Sequence, residues 1–173
     1  MNSQNKIILI TGATSGIGLS LTEIYLKDGW TVIGIGRKIT LLKSLKDLYL
    51  EKLIIVQCDL SKKENIGETF KNILEKYPSL NSFIFNAGIY KTDDFDTFTE
   101  ESIEETFNIN LLSVYRSLLE IRNRLKEPNQ SLIAIVSSVA GYRGLPKSIS
   151  YGPTKAALIN LSLIHISEPT RRR

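Results

Sequence analysis

Short apolar runs alternate with amphipathic stretches along most of this chain. That arrangement builds a parallel sheet with helices packed on both faces. Lys6 to Thr11 is continuous in Ile and Leu, as a strand buried on both faces should be. Further strands are predicted at Thr31 to Ile35, Leu53 to Gln57, Ser82 to Phe85 and Leu132 to Val136. Between them, helical spacing appears as Ile17, Leu21, Ile24, then Leu41, Leu45, Leu48, then Ile66, Phe70, Ile73, Tyr77, the last stopped by Pro78. A polar loop through Asp93, Asp94 and Asp96 leads into a longer stripe: Ile103, Phe107, Leu111, Val114, Leu118, Ile121 and Leu125. So regular a stripe predicts one long helix whose apolar side is core or a helix-packing seam. A last helix starts near Gly152, with Pro153 tolerated in its first turn.

The first strand runs into Gly12-Ala-Thr-Ser-Gly16-Ile-Gly18 and then a helix. There a tight turn lets backbone N–H groups reach a pyrophosphate at the helix N-terminus. A plain glycine-rich turn has the same composition, but the strand-to-helix placement favours a nucleotide. The fold class expected is therefore α/β, a Rossmann-type doubly wound parallel sheet flanked by helices. Five strands are countable where such folds use at least six, so the sheet is expected to be incomplete on its C-terminal side.

The second strand ends at Gly34-Ile-Gly36-Arg37-Lys38, without the carboxylate that NAD-binding folds offer to the ribose 2′-hydroxyl. Arg37 can hold a phosphate bidentately and Lys38 adds charge, which favours NADP over NAD. The alternative, that both simply solvate a helix start, is compatible with either cofactor. Asp59, past the third strand, could accept from an adenine amine or cap the next helix with Ser61.

Tyr151 and Lys155 lie four apart at a helix start, which puts them on one face. A free phenol ionises near pH ~10. A cation about 4 Å away at an effective dielectric of ~20 supplies about 4 kcal/mol towards bringing one near neutrality. Ser138 precedes Tyr151 by thirteen residues, with Ser137 as its rival. Because the only histidine is His165, acid–base work falls to carboxylate, Lys or Tyr if the C-terminal tail is not native.

Composition narrows the picture. With 173 residues and 42% hydrophobic content the chain suits one domain with a real core. The formal charge is +4, of which Arg171, Arg172 and Arg173 against Glu168 supply half. No basic stripe with interleaved aromatics suggests nucleic acid. Cys58 is the lone cysteine, which excludes an internal disulfide and suits a reducing cytoplasm. With no leader and no run long enough to span a bilayer, a cytoplasmic protein without membrane or metal partners is expected.

Thr11-Gly12-Ala-Thr-Ser-Gly16-Ile-Gly18, Asp59, Asn86-Ala-Gly88, Asn110, Ser138 and Tyr151-x-x-x-Lys155, in that order, resemble the classical short-chain dehydrogenase/reductase family over residues 6 to 160. The resemblance implies a carbonyl or secondary alcohol substrate, Tyr151 as general acid/base, Ser138 bonded to the same oxygen, and Lys155 on the nicotinamide ribose. It gives Asn110 a local helix irregularity and a water leading from Lys155 to solvent. Gly12, Thr14, Ser15, Gly16, Ile17, Gly18, Arg37, Lys38, Asp59, Leu60, Asn86, Ala87 and Gly88 join Tyr151 and Lys155 as cofactor contacts. A homodimer or homotetramer of the full-length form is implied, with the 103-to-125 stripe partly in the interface. Phe85 departs from the family pattern, where many relatives carry Asn.

Another class remains open, a dinucleotide-binding sensor or remnant without turnover, although such a module has no need of Tyr151. The loop Gly141 to Leu145 borders the expected pocket, and Arg143 in it could meet an anionic substrate or face water. Leu161 to Arg171 resembles, at all eleven residues, the in-frame translation of a sequencing-library transposase adapter. Residues 161–173 are accordingly expected to be a non-native tail on a partial domain of residues 1–160, itself inactive.

Overall fold

The computed structural model describes residues 6–126 and 131–167. Five parallel strands, β1 (Ile7–Thr11), β2 (Thr31–Gly36), β3 (Leu53–Gln57), β4 (Ser82–Phe85) and β5 (Leu132–Ile135), form one sheet in the order β3-β2-β1-β4-β5. The helices are α1 (Gly16–Lys27), α2 (Thr40–Tyr49), α3 (Lys63–Lys76), α4 (Glu100–Phe107), α5 (Ser113–Ile121) and α6 (Tyr151–Ser167). β1 and β4 are buried along their whole length, which is why they read as unbroken apolar runs. One core layer gathers Leu9, Ile33, Phe70, Phe83 and Ile121; the other gathers Ile8, Ile10, Val32, Leu42 and Ile84. The chain crosses from one side of β1 to the other between β3 and β4, so the switch point of the fold lies between the C-terminal ends of β1 and β4.

Two predicted helix faces need correction. On α1 the buried residues are Gly18, Thr22 and Leu26, while Ile17 is 61% exposed and Ile24 is exposed too. Gly18 has no side chain to register in a hydrophobic pattern, yet it makes the closest approach and sets the face. On α2 the inward residue is Leu42, supported by Leu45 and Tyr49, and Leu41 and Leu48 face outward. A β-carbon at Gly34 would lie 3.2 Å from the Leu42 side chain. Glycine in β2 thus opens the seat that selects Leu42.

The long stripe follows one unbroken helical run from Glu100 to Ile121, with the irregularity expected at Asn110. Between α4 and α5 the chain forms a π-helical turn at Asn108–Leu112. The extra residue of that turn is absorbed without losing the inward face, since Val114 and Ile121 stay buried and Leu111 and Leu118 pack against the core. The stripe therefore faces inward, and a different row on this stretch, Leu112, Tyr115 and Leu119, is left exposed.

α6 continues through Ser167, and Leu161 packs into the core. Residues 168–173, the end of the adapter-like stretch, lie outside the described residues. Among the described residues no helix is long and apolar enough to cross a membrane.

Candidate active site

The site is built around the crevice between β1 and β4. Gly12 leaves β1 with φ +66°, and a β-carbon there would come within 2.8 Å of the Ala87 Cα. Gly18 is tighter still, since a β-carbon would sit 2.1 Å from the Gly12 carbonyl oxygen. Only glycine lets the first turn of α1 fold down on this loop. Asn86 locks the arrangement from β4: its Nδ2 donates to the carbonyls of Thr11 (3.1 Å) and Gly12 (3.2 Å). The Thr11 hydroxyl accepts in turn from the N–H groups of Asn86 and Ala87 at 3.0 and 3.1 Å. Phe85, the departure from the family pattern, is buried, and the bracing falls to Asn86 and Thr11.

Two cavities meet over this loop and share Gly12, Ser15, Ala87, Gly88 and Ile89. The first, about 240 Å³, reaches the ends of β2 and β3 and is lined there by Thr14, Arg37, Lys38, Asp59 and Leu60. The second, about 280 Å³, reaches α6 and is lined there by Ile17, Tyr90, Ser137, Tyr151 and Lys155. Joined, they make a two-ended groove with the N-terminus of the 12-residue helix α1 at its middle. Ser15 caps that helix without spending its hydroxyl on the backbone and stays exposed. Thr14 instead packs its methyl against Gly36, where a β-carbon would meet it at 2.4 Å. Such a groove fits an elongated dinucleotide, with N–H groups at the anionic centre.

At the outer end, Arg37 and Lys38 are exposed beyond β2. Asp59 Oδ1 accepts from the N–H (3.0 Å) and hydroxyl (2.8 Å) of Ser61. Burial works to raise the Asp59 pKa, but the Ser61 hydrogen bonds with the charges of Arg37 and Lys62 outweigh it and hold the carboxyl below the usual range. Asp59 does not cap α3, whose N-cap is Lys62.

At the inner end, Lys155 is only 3% exposed. Its Nζ donates to the Val136 carbonyl (3.0 Å) and lies 5.5 Å from the centre of the Tyr151 ring. Burial pushes the Lys155 ammonium pKa down. Asn110 sits in the π-helical turn, fully buried. Its Oδ1 accepts from Ile89 N (2.7 Å), and its Nδ2 donates to Ile89 O (2.9 Å) and Thr154 Oγ1 (3.3 Å). The Thr154 hydroxyl donates to the Tyr151 carbonyl at 2.7 Å, so Asn110 links the loop after β4 to the first turn of α6. Gly88 lies above this pair, where a β-carbon would approach Asn110 Oδ1 to 3.3 Å and Lys155 Nζ to 3.6 Å.

The two serines part company. The Ser137 hydroxyl donates to the Lys155 carbonyl (2.8 Å), which anchors β5 to α6. Ser138 caps the short 3-10 turn Val139–Gly141, its Oγ accepting from Ala140 N at 3.2 Å and keeping its proton free for donation. Ser137, not Ser138, lines the inner cavity.

Three further residues contribute: Thr11, which stands in the glycine motif quoted above with no role expected of it, and Tyr90 and Asn108, which stand in no motif. Thr11 carries the β1–β4 brace, and Tyr90 sets its ring edge-on to Tyr151 at 5.0 Å. Asn108 donates to Ser61 O (2.6 Å) and accepts from Arg116 (2.6 Å), tying the π-helical turn to the Asp59 loop. Two Asn residues in an apolar helix are the signal that could have flagged it, because each costs helix propensity.

Comparison with known proteins gives a consistent picture. The family profile described as short chain dehydrogenase matches residues 6–169. An uncharacterized oxidoreductase of Bacillus subtilis, YvrD, is 31% identical over 165 residues, covering 92% of this chain and 61% of its own length. The structure of ElxO with NADP bound superposes with a TM-score of 0.85 at 27% identity, over 95% of this chain and 69% of that one. A 4-hydroxyisoleucine dehydrogenase complexed with NADH superposes at 0.83 and 28% identity, again over 95% and 69%. The chain spans about three-fifths of the length of such curated relatives.

Proposed function

The chain belongs to the short-chain dehydrogenase family, and from that premise we propose that it carries the active centre of an NADP-dependent oxidoreductase acting on a carbonyl or secondary alcohol. The observation that carries this reading is the pair of cavities that share the glycine loop, one reaching Arg37 and Asp59 and the other Tyr151 and Lys155.

In this reading the backbone of Gly12, Ser15, Gly16, Ile17 and Gly18 holds the pyrophosphate, and Thr14 shapes the loop that presents it. Arg37 and Lys38 meet the 2′-phosphate, Asp59 and Leu60 the adenine, and Asn86, Ala87 and Gly88 form the facing wall. Lys155 holds the nicotinamide ribose. When bound, the nicotinamide supplies or accepts the hydride. Tyr151 gives a proton to the carbonyl oxygen in reduction and takes it back in oxidation. Lys155 favours the negative charge that the phenol oxygen carries after donation, and Ser138 donates to the substrate oxygen and holds it near Tyr151. Asn110 fixes the loop and helix between which these groups sit.

Support for NADP over NAD is the pair Arg37 and Lys38 with no carboxylate at the end of β2. Turnover is proposed for the longer protein, cytoplasmic and assembled as a homodimer or homotetramer. The exposed row Leu112, Tyr115 and Leu119 supports self-association. Residues 1–173 alone are proposed to be inactive, because β5 is the last strand of the sheet and its Leu132 is half exposed.

The test is consumption of NADPH or NADH with a panel of aldehydes and ketones, for the full-length protein, for residues 1–173, and for full-length Arg37→Ser. The full-length protein is expected to prefer NADPH, and residues 1–173 to show no turnover. Arg37→Ser should weaken NADPH binding by about 10- to 100-fold, the worth of a charge-assisted phosphate contact, with NADH unaffected. Equal loss for both cofactors would remove Arg37 from the 2′-phosphate. Dinucleotide binding without consumption would instead assign a sensor or inactive remnant.

A further inference from the structure

The loop after β4 grips the segment that leads into α6. Asp93 N donates to the Lys147 carbonyl (3.3 Å), and the Tyr90 hydroxyl donates to the same carbonyl (3.2 Å). Asp93 and Ser148 form an isolated parallel bridge. The Asp93 carboxylate then accepts from Ser150 N, at 3.3 and 3.2 Å to its two oxygens, and from the Ser150 hydroxyl. Ser150 is the residue immediately before Tyr151.

Asp93 is 3% exposed, and among the described residues no cation forms an ion pair with it. Burying a carboxylate is costly unless its partners answer for it. Here the partners are the N–H and hydroxyl of a single buried residue at the head of a 17-residue helix, where negative charge is favoured. Lys147 is held at φ +57°, a conformation that a lysine rarely adopts, and both donors to its carbonyl come from this loop. The neighbouring Asp94 and Asp96 have no such task. Asp94 is half-buried, and its carboxylate accepts from the Thr97 hydroxyl and the Asp96 N–H within its own loop.

The opposite end of the same loop is fastened as well, since Asn110 holds Ile89 by both its backbone groups. Residues 89–93 are therefore pinned to the π-helical turn at one end and to Ser150 at the other, with the Tyr90 ring against the Tyr151 ring between them. The approach to this segment from β5 passes through the exposed residues Tyr142, Arg143 and Gly144, which offer little to fix it.

We propose that Asp93 is a positioning residue for Tyr151: through Ser150 it fixes where α6 begins, and so where the Tyr151 phenol stands relative to the groove. The inference rests on Tyr151 being the proton donor proposed above. Asp93 touches neither substrate nor cofactor. Its loss should slow the chemical step and leave the dinucleotide bound.

Full-length Asp93→Ala, Asp93→Asn, Ser150→Ala and the Asp93→Ala/Ser150→Ala pair test this by kcat, by the Kd for NADPH from nicotinamide fluorescence, and by thermal midpoint. Asp93→Ala should lower kcat by about 10- to 100-fold, the scale set by small misplacements of a reacting group, with the NADPH Kd unchanged. Asp93→Asn keeps the size and one acceptor oxygen and should give an intermediate kcat. The pair should be no slower than Asp93→Ala, because both substitutions break one connection. If Asp93→Ala does not fold, a reduced kcat in a folded Asp93→Asn supports the proposal. A wild-type kcat in either Asp93 variant, a matching loss of NADPH affinity, or multiplicative losses in the pair would overturn it. Tyr151→Phe run alongside separates the two readings. If it is inactive while Asp93→Ala is fully active, only the Asp93 inference fails; if it is active, the proton-donor reading fails first.

Discussion

Tyr151→Phe in the full-length protein should lower kcat by about 10²- to 10⁴-fold, the usual contribution of a positioned acid or base, while NADPH binds as tightly as before. The substitution removes one oxygen and little else. The Tyr151 backbone carbonyl still accepts from Thr154, and the ring still meets Tyr90 edge-on. Lys155 keeps its bond to the Val136 carbonyl, which does not involve the phenol. The remaining polar side chains of the inner cavity are Ser15, Asn86, Tyr90 and Ser137 besides the buried Lys155, which is held by the Val136 carbonyl. Tyr90 directs its hydroxyl to the Lys147 carbonyl and is not free to substitute. Measuring kcat and NADPH affinity on the same preparation checks both halves of the expectation, and retained turnover would remove Tyr151 from the proton path.

Gly18→Ala should be the most damaging single-methyl change in the groove. The added carbon would stand 2.1 Å from the Gly12 oxygen and 2.8 Å from the Gly12 carbonyl carbon, backbone contacts that no side-chain rotation can relieve, and 2.5 Å from Asn86 Nδ2. Either α1 lifts from the loop or the loop leaves β4, and the second route breaks the Asn86 bonds to Thr11 and Gly12. Overpacking against backbone costs about 3 kcal/mol, which for a domain of this size lowers the thermal midpoint by about 6–12 °C. NADPH affinity should fall with it, since the same loop is proposed to hold the pyrophosphate. Gly16→Ala is the comparison. Gly16 has φ +50° but nothing within 4 Å of a β-carbon, so only backbone strain of about 1 kcal/mol applies. Similar midpoints for the two variants, read by thermal unfolding, would mean that close approach at Gly18 is not what shapes the loop.

Most of the sheet was legible in the sequence because parallel strands covered on both faces must be apolar throughout. Ile7 to Thr11 and Ser82 to Phe85 are bounded by polar residues on the outer side and by glycine or Asn where the groove begins. Helix faces were less legible. Apolar spacing selected Ile17 and Ile24 on α1, whereas the contact that sets the face is made by Gly18, a residue with no hydropathic signature. The same holds for α2, where Leu42 is chosen over Leu41 by the space that Gly34 leaves in the neighbouring strand. The π-helical turn left no mark in the periodicity, since an apolar stripe that survives an extra residue looks continuous, and only the family resemblance pointed to an irregularity at Asn110. Asn110 was marked by family resemblance and by its poor fit to a helix, but Asn108 was not, and its partner Ser61 is 47 residues away. Asp93 was one of three aspartates in a polar loop. Only a tertiary contact 57 residues away separates it from its neighbours.

Hydride transfer at the groove between β1 and β4 can be followed by isotopic labelling. NADPH carrying deuterium at both positions of nicotinamide C4 is incubated with the full-length protein and a ketone that it consumes, and the alcohol is analysed by mass spectrometry and NMR. One deuterium is expected on the carbinol carbon of the product, and with Tyr151→Phe the labelled alcohol should form about 10²- to 10⁴-fold more slowly. An alcohol without deuterium on that carbon, or dinucleotide bound with no transfer to any carbonyl tested, would contradict this expectation.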